Sequence, residues 1–273
     1  MSAPLRLMVI TGHPDDETLG TGGTLVHYAS QGIETYVLCG TRGQSGRYLD
    51  HRLGDPGHPG REKLAAIREK ELRAAAAVLG VREVAFLDYV DGELDQADPS
   101  EAIARIAGHL RRVRPHVCVT FAMDGAYGHP DHIAIAQFAT AATVAAANPE
   151  QAGDGGPPDA VSKLYYIAWP ATTWAAYQEA FKTLVSHVDG VERRANPWPE
   201  WEITTRIDTR AYWPTVWKAV TCHDSQIANY ARLGDLSPES HEALWGAQSF
   251  YRVFSTVNGG RRQEIDLFEG LRP

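Results

Sequence analysis

The stretch "TGHPDDETLG" (11–20) packs a histidine, two adjacent aspartates and a glutamate into one turn's worth of chain, directly after the apolar run Leu5 to Ile10. A short apolar run of this kind reads as a buried strand, Leu5 to Thr11, and the helical spacing from Gly22 to Ser30 places a helix behind it. The alternation continues outward. Strand-like runs recur at Glu34 to Cys39, Glu83 to Leu87 and Val117 to Phe121, separated by helical patterns at Arg61 to Leu79, Pro99 to Val113 and Pro130 to Ala147. Strands alternating with helices predict βαβ units and a mostly parallel sheet flanked by helices, a Rossmann-like α/β fold.

A second dense cluster, "YGHPDH" (127–132), follows the fourth strand and repeats the letters His-Pro-Asp. In a doubly wound sheet of order 3-2-1-4-5, strands one and four are neighbours at the topological switch point, where ligands bind at the carboxyl ends. The two clusters are therefore expected to converge. His13, Asp16 and His132 suit a tridentate site for Zn²⁺, with Fe²⁺ or Co²⁺ as alternatives, leaving a position for water whose pKa falls to about 7. Asp15 is then free to act as general base, His129 to donate a proton or stabilise an oxyanion, and Asp131 to fix the tautomer of His129. Asp15, Asp16 and Asp131 would equally serve as helix caps. Capping alone does not explain paired histidines facing one crevice.

"HPDDE" after the first strand together with "HPDH" after the fourth resembles the LmbE-like or PIG-L superfamily of zinc-dependent N-acetylglucosaminyl deacetylases, which includes the mycothiol- and bacillithiol-type enzymes. The likeness runs from Leu5 to about Gln226. It implies that His13, Asp16 and His132 hold the metal, that Asp15 is the base, and that His129 is a charge-stabilising or acid histidine oriented by Asp131. It also implies that Tyr127 polarises the amide carbonyl, that Arg68 binds substrate, and that His223 and Gln226 of "KAVTCHDSQ" lie near the site. The chain departs from the family at Gly43-Gln44, where members often carry Gly-Glu.

The resulting expectation is a hydrolase that removes an N-acetyl or other N-acyl group from a GlcNAc-containing small molecule. An amidase for a thiol conjugate or an antibiotic acyl-sugar keeps the same site. A binding module without catalysis is the opposing class; the "GTGGTL" stretch (20–25) lacks the spacing of a dinucleotide fingerprint.

Composition limits the partners. A formal net charge of −8 and the lack of a basic stripe argue against nucleic acid. No window reaches the roughly 20 apolar residues of a membrane span, so a cytoplasmic protein is expected, and a homo-oligomer is compatible with the sequence. Cys39, Cys118 and Cys222 are odd in number and widely spaced, and read as small core residues.

"GQSGRYLDHRLGDPGHPG" (43–60) reads as a long loop, and "NPEQAGDGGPPDA" (148–160) as a second break. Beyond it come a strand at Lys163 to Ala168, a helix at Trp174 to Val185, a strand at Glu202 to Ile207, a helix from Thr209 to about Cys222 and the strand-like "SFYRVFSTV" (249–257). The whole is expected to be one domain, with a core of about 1–168 and a smaller mixed lobe of about 169–273. All seven tryptophans fall at or after Trp169, either packing that lobe or lining a cleft. Arg68 and Glu71 are spaced as a surface i,i+3 pair would be. The histidines at 27, 51, 58, 109, 116, 187 and 241 lack partners at ligand spacing.

Overall fold

The computed structural model describes residues 4–150, 155–181, 185–260 and 262–272. Its strands are β1 (Arg6–Thr11), β2 (Glu34–Thr41), β3 (Glu83–Tyr89), β4 (Val117–Thr120), β5 (Lys163–Ile167), β6 (Val185–Val188), β7 (Val191–Arg194), β8 (Thr205–Asp208) and β9 (Ala247–Ser255). The main sheet has the order β3-β2-β1-β4-β5-β9-β8, parallel through β5 and antiparallel at β9 and β8. The 3-2-1-4-5 order read from the sequence is thus present. β1 is central and buried on both faces, with Leu7, Val9 and Ile10 all fully buried, as a parallel strand covered by helices on both sides must be.

The helices are α1 (Asp16–Ser30), α2 (Arg61–Leu79), α3 (Pro99–Val113), the tight turn α4 (Gly125–Gly128), α5 (Pro130–Ala147), α6 (Ala171–Phe181), α7 (Trp213–Val220), the short turn α8 (Ile227–Tyr230) and α9 (Pro238–Trp245). α3 starts where its sequence says it should. Asp98 accepts from the backbone N–H groups of Ser100 and Glu101 at 2.8 and 3.0 Å, with Pro99 as the first helical residue. The "GTGGTL" glycines lie inside α1, not in a phosphate loop. A Cβ on Gly23 would come 2.8 Å from Cβ of Thr209, so the bare backbone lets the chain entering α7 pack on α1.

The C-terminal part differs from expectation in its details. The helix expected at Trp174 to Val185 is α6, Ala171–Phe181; Val185 instead opens β6, and residues 182–184 lie outside the described residues. β6 and β7 form a hairpin whose turn residues Asp189 and Gly190 both have positive φ, 52° and 77°, the type I′ geometry that Asp-Gly favours. β8 and β9 do not make a separate sheet but extend the main one. Trp174, Trp245, Tyr177, Val216, Val220 and Leu244 form a second buried cluster against which Trp169, Trp213 and Trp217 pack. Most of the tryptophans therefore build the lobe, and Trp201 stands out at 81% exposed. Residues 43–60 form the long loop as read, while residues 151–154 of the second break lie outside the described residues. Cys39 and Cys118 are buried, and Cys222 is half-buried.

Candidate metal centre and active site

The carboxyl ends of β1 and β4 bring the two clusters together. His13 Nδ1 lies 3.1 Å from His132 Nε2 and 3.5 Å from Asp16 Oδ2, and His132 Nε2 lies 3.4 Å from the same Asp16 oxygen. A tetrahedral zinc with bonds of about 2.0–2.1 Å holds its ligands about 3.3–3.4 Å apart. The three atoms are spaced as one face of such a tetrahedron would be, and the nitrogen, oxygen and nitrogen donors suit Zn²⁺ or a similar divalent ion. Burial drives His132 down to about 3, so its ring is neutral. Burial also opposes charge on His13, but hydrogen bonds to Asp131, Asp16 and Asp91 win and hold it well above its ordinary 6.5. Burial opposes the charge of Asp16 too, and the two histidines hold its carboxyl well below its usual range.

The imidazoles are fixed from behind. Phe121, just past β4, stacks on His132 at 4.0 Å with the rings 5° from parallel. His13 Nε2 faces two carboxylates, Asp131 Oδ2 at 3.0 Å and Asp91 Oδ1 at 3.1 Å. That arrangement places the N–H on Nε2 and leaves Nδ1 for the shared face. Asp131 also accepts from the backbone N–H groups of Gly92 and Leu94 at 2.7 and 3.1 Å. Its side chain therefore serves His13, not His129 as the motif implied. The physical reason is that Pro130 is the first residue of α5, so Asp131 is already in the helix and turned into the core, where it is fully buried.

His129 is the N-cap of α5, its Nδ1 accepting from the Asp131 N–H at 3.2 Å. Its ring stacks on His132 at 4.6 Å and lies 4.9 Å from that of His13. Burial and then the charge of His13 lower its pKa, so it is a neutral imidazole at neutral pH. Tyr127, in the α4 turn, places its ring 5.5 Å from His132 and 5.9 Å from His129, and burial raises its pKa. The turn is held by the β6–β7 hairpin: Ser186 Oγ donates to the Tyr127 carbonyl at 3.0 Å.

Asp15 has φ 108° and ψ −27°, a left-handed conformation at the N-cap of α1, and its side chain makes no capping bond. For a residue with a Cβ, such a conformation costs about 1–3 kcal/mol and is typical of functional positions. The carboxylate instead meets Arg68 Nη2 at 3.1 Å. Arg68 also donates to the carbonyls of Gly43 and Pro14. A Cβ on Gly43, which has φ +62°, would fall 2.1 Å from Arg68 Nη1, so only glycine allows this approach.

Arg68 and Glu71 are both buried and not a surface pair. Glu71 reaches across to Ser225, accepting from its N–H at 2.6 Å and its hydroxyl at 2.7 Å. This ties α2 to the 223–226 segment. His223 and Gln226, expected near the site, are both buried and hold the segments around them. His223 is fully buried with Nε2 3.4 Å from Glu17 Oε1, and Gln226 donates to the Arg47 carbonyl at 2.6 Å, holding the 43–60 loop. Gln44 likewise donates to the Tyr89 carbonyl at 3.1 Å, a bond that a glutamate could not make.

Two acids meet the site residues in roles the sequence did not assign: Asp91 beside His13, and Glu17, the glutamate of the first cluster, at the Asp15 N–H. The signal for Asp91 was its place just beyond β3, since the carboxyl ends of parallel strands face one crevice. Of the other histidines, His116 accepts from the Arg6 N–H at 3.2 Å and His241 stacks on Trp213 and Trp245.

The family profile for GlcNAc-PI de-N-acetylase (PIG-L) matches residues 8–143. The 1D-myo-inositol 2-acetamido-2-deoxy-alpha-D-glucopyranoside deacetylase of Rhodococcus jostii is 34% identical, over 97% of this chain and 98% of its own. Among solved structures, the 4-carboxy-2-hydroxymuconate hydratase GalB of Pseudomonas putida KT2440 superposes with a TM-score of 0.70 at 20% identity, covering 94% of this chain and 99% of that one. The N,N'-diacetylchitobiose deacetylase of Pyrococcus horikoshii does so with 0.66 at 20% identity, covering 91% and 83%. These two likenesses are of fold, and the fold hosts more than one chemistry. The extent and level of identity to the Rhodococcus deacetylase, with both motif clusters meeting in one crevice, show that the chain belongs to the PIG-L family of GlcNAc-PI de-N-acetylase relatives.

Proposed function

We propose that this protein is a divalent-metal-dependent N-deacetylase that hydrolyses the acetamide of a GlcNAc-containing small molecule, with a GlcNAc-inositol conjugate as the first candidate. The whole chain, 1–273, acts as one domain in this reading, since β8 and β9 continue the sheet that carries the site. The observation that carries it is the triangle of His13 Nδ1, Asp16 Oδ2 and His132 Nε2, with sides of 3.1–3.5 Å, beside a carboxylate that caps nothing. Relatives that act on a GlcNAc-inositol by name support the substrate class.

His13, Asp16 and His132 would hold the cation, zinc being the first candidate. When bound, such an ion supplies a Lewis acid and brings the pKa of a water down to about 7. Asp15, held by Arg68, accepts the proton of the attacking water. The Tyr127 phenol, kept protonated by its burial, donates a hydrogen bond to the acetamide oxygen as negative charge develops there. His129, neutral and with Nδ1 engaged by the Asp131 N–H, faces the same crevice and offers its other ring nitrogen's N–H to the developing oxyanion, and the proton that Asp15 takes from the water passes to the departing amine. Asp131 and Asp91 act through His13, fixing the tautomer that offers Nδ1.

The test is acetate release from 1D-myo-inositol 2-acetamido-2-deoxy-alpha-D-glucopyranoside, measured alongside metal content. The expectation is one divalent ion per chain, activity lost in His13→Ala together with the ion, and activity lost in Asp15→Asn with the ion retained. Undiminished acetate release by both variants would dispose of the reading. A metal-free protein that binds the glycoside without cleaving it would point to a binding module.

A further inference from the structure

An aspartate at a helix N-cap ordinarily turns its side chain back onto the first free N–H groups. Asp15 does not, and its backbone is left-handed at φ 108°. What holds that conformation is the next residue but one. Glu17 is fully buried, and its Oε2 accepts from the Asp15 N–H at 3.0 Å. This resembles the reciprocal half of a capping box, in which a glutamate at the third helical position bonds the N-cap N–H, here made from the second. Its other oxygen is engaged by the Thr18 hydroxyl and faces His223 Nε2 at 3.4 Å, with His223 itself wholly buried. A carboxylate so enclosed has no route to a ligand in the crevice. It reaches the chemistry only through the backbone of its neighbour.

We propose that Glu17, held by Thr18 and His223, is a positioning residue for the base. By fixing the Asp15 N–H it imposes the left-handed turn, releases the Asp15 side chain from capping, and aims that carboxylate along Arg68 into the crevice. Arg68 completes the grip from the opposite side, donating to both the Pro14 carbonyl and the Asp15 carboxylate. The proposal rests on the reading of Asp15 as general base, and its test separates the two.

The experiment uses the zinc-loaded full chain with the GlcNAc-inositol substrate named above, and hydrogen exchange at the Asp15 amide. In Glu17→Ala, kcat is expected to fall at least tenfold with KM and zinc stoichiometry unchanged, and the Asp15 amide to exchange at least tenfold faster. Glu17→Gln, whose amide oxygen still accepts from that N–H, recovers most of both. In an Asp15→Asn background, Glu17→Ala costs nothing further in residual turnover, because the two act as one unit. An equal loss in the Asp15→Asn background, or unchanged exchange at the Asp15 amide, would overturn the proposal. Should Glu17→Ala fail to fold, Glu17→Asp keeps the charge, shortens the reach by one methylene and gives the same readouts. If the wild-type protein releases no acetate, the functional reading fails, and the exchange measurement still decides whether Glu17 sets the turn.

Discussion

The two His-Pro-Asp turns are spelled alike and built differently. In the first, α1 begins at Asp16, so His13 and Pro14 lie before the helix and Asp15 is its cap. In the second, α5 begins at Pro130, so His129 is the cap and Asp131 is already inside the helix. The same three letters are thus shifted by two positions against the helix start. The shift exchanges the roles. The first turn's histidine faces the shared triangle and its Asp15 stays at the surface of the crevice. In the second turn the histidine caps, the aspartate is buried behind His13, and the triangle is completed by His132 one residue later. Where a helix starts, more than which residues are spelled, decides what each side chain can do.

Substitutions that treat the two turns as equivalent should expose the difference. The largest effect is expected at the shared triangle. His132→Ala should abolish stoichiometric metal binding and remove the rise in Tm that added Zn²⁺ gives the wild-type protein, as read by thermal shift and metal analysis. Next come the matched aspartates. Asp15→Asn should lower kcat by about 10²–10⁴-fold while leaving metal affinity intact. Asp131→Asn should instead weaken metal affinity by about 10–100-fold with much of kcat retained at saturating metal. Identical signatures from the two, in metal titrations and steady-state kinetics, would erase the distinction. A smaller effect is expected from Gly43→Ala, which drives a Cβ into the Arg68 guanidinium. It should destabilise by about 1–3 kcal/mol in denaturant titrations and lower kcat with no loss of metal.

The fold was legible where pattern and punctuation agree. Arg61–Leu79, Pro99–Val113 and Pro130–Ala147 are helices with the limits that periodicity and the N-terminal prolines gave them. The meeting of the two clusters followed from strand order alone. What escaped notice depends on three-dimensional context. The partner of Asp131 was read as the nearby His129, but entry into the helix rotates it onto His13 from the other turn. Arg68 and Glu71 look like a solvent-facing pair in a charge-rich helix, and are buried because α2 packs between the Asp15 turn and the 223–226 segment. The β6–β7 hairpin was hidden by a helical pattern carried too far, although Asp189-Gly190 was a turn signal in plain view.

The smallest expected effect lies away from both turns and serves as their control. Glu264 sits under the C-terminal strands and accepts from Lys163, Tyr165, Thr205 and Asn258 at 2.7–2.8 Å. Burial opposes its ionisation, but those bonds win and bring its carboxyl from 4.5 down to about 2. The unfolded chain therefore takes up this proton first as pH falls. The stability it contributes is complete above about pH 4.5 and is lost between there and about pH 2. Urea unfolding as a function of pH should show that slope in the wild-type protein and a shallower one in Glu264→Gln, without effect on metal stoichiometry at neutral pH.

The most direct test of the account is the anomalous diffraction of a zinc-loaded crystal. A peak about 2.0–2.1 Å from His13 Nδ1, Asp16 Oδ2 and His132 Nε2 is expected, with Asp131 and Asp91 remaining on the far nitrogen of His13. A peak instead on that far side, between His13 Nε2, Asp91 and Asp131, would contradict it, because those carboxylates would then be ligands and the two turns would not share an ion.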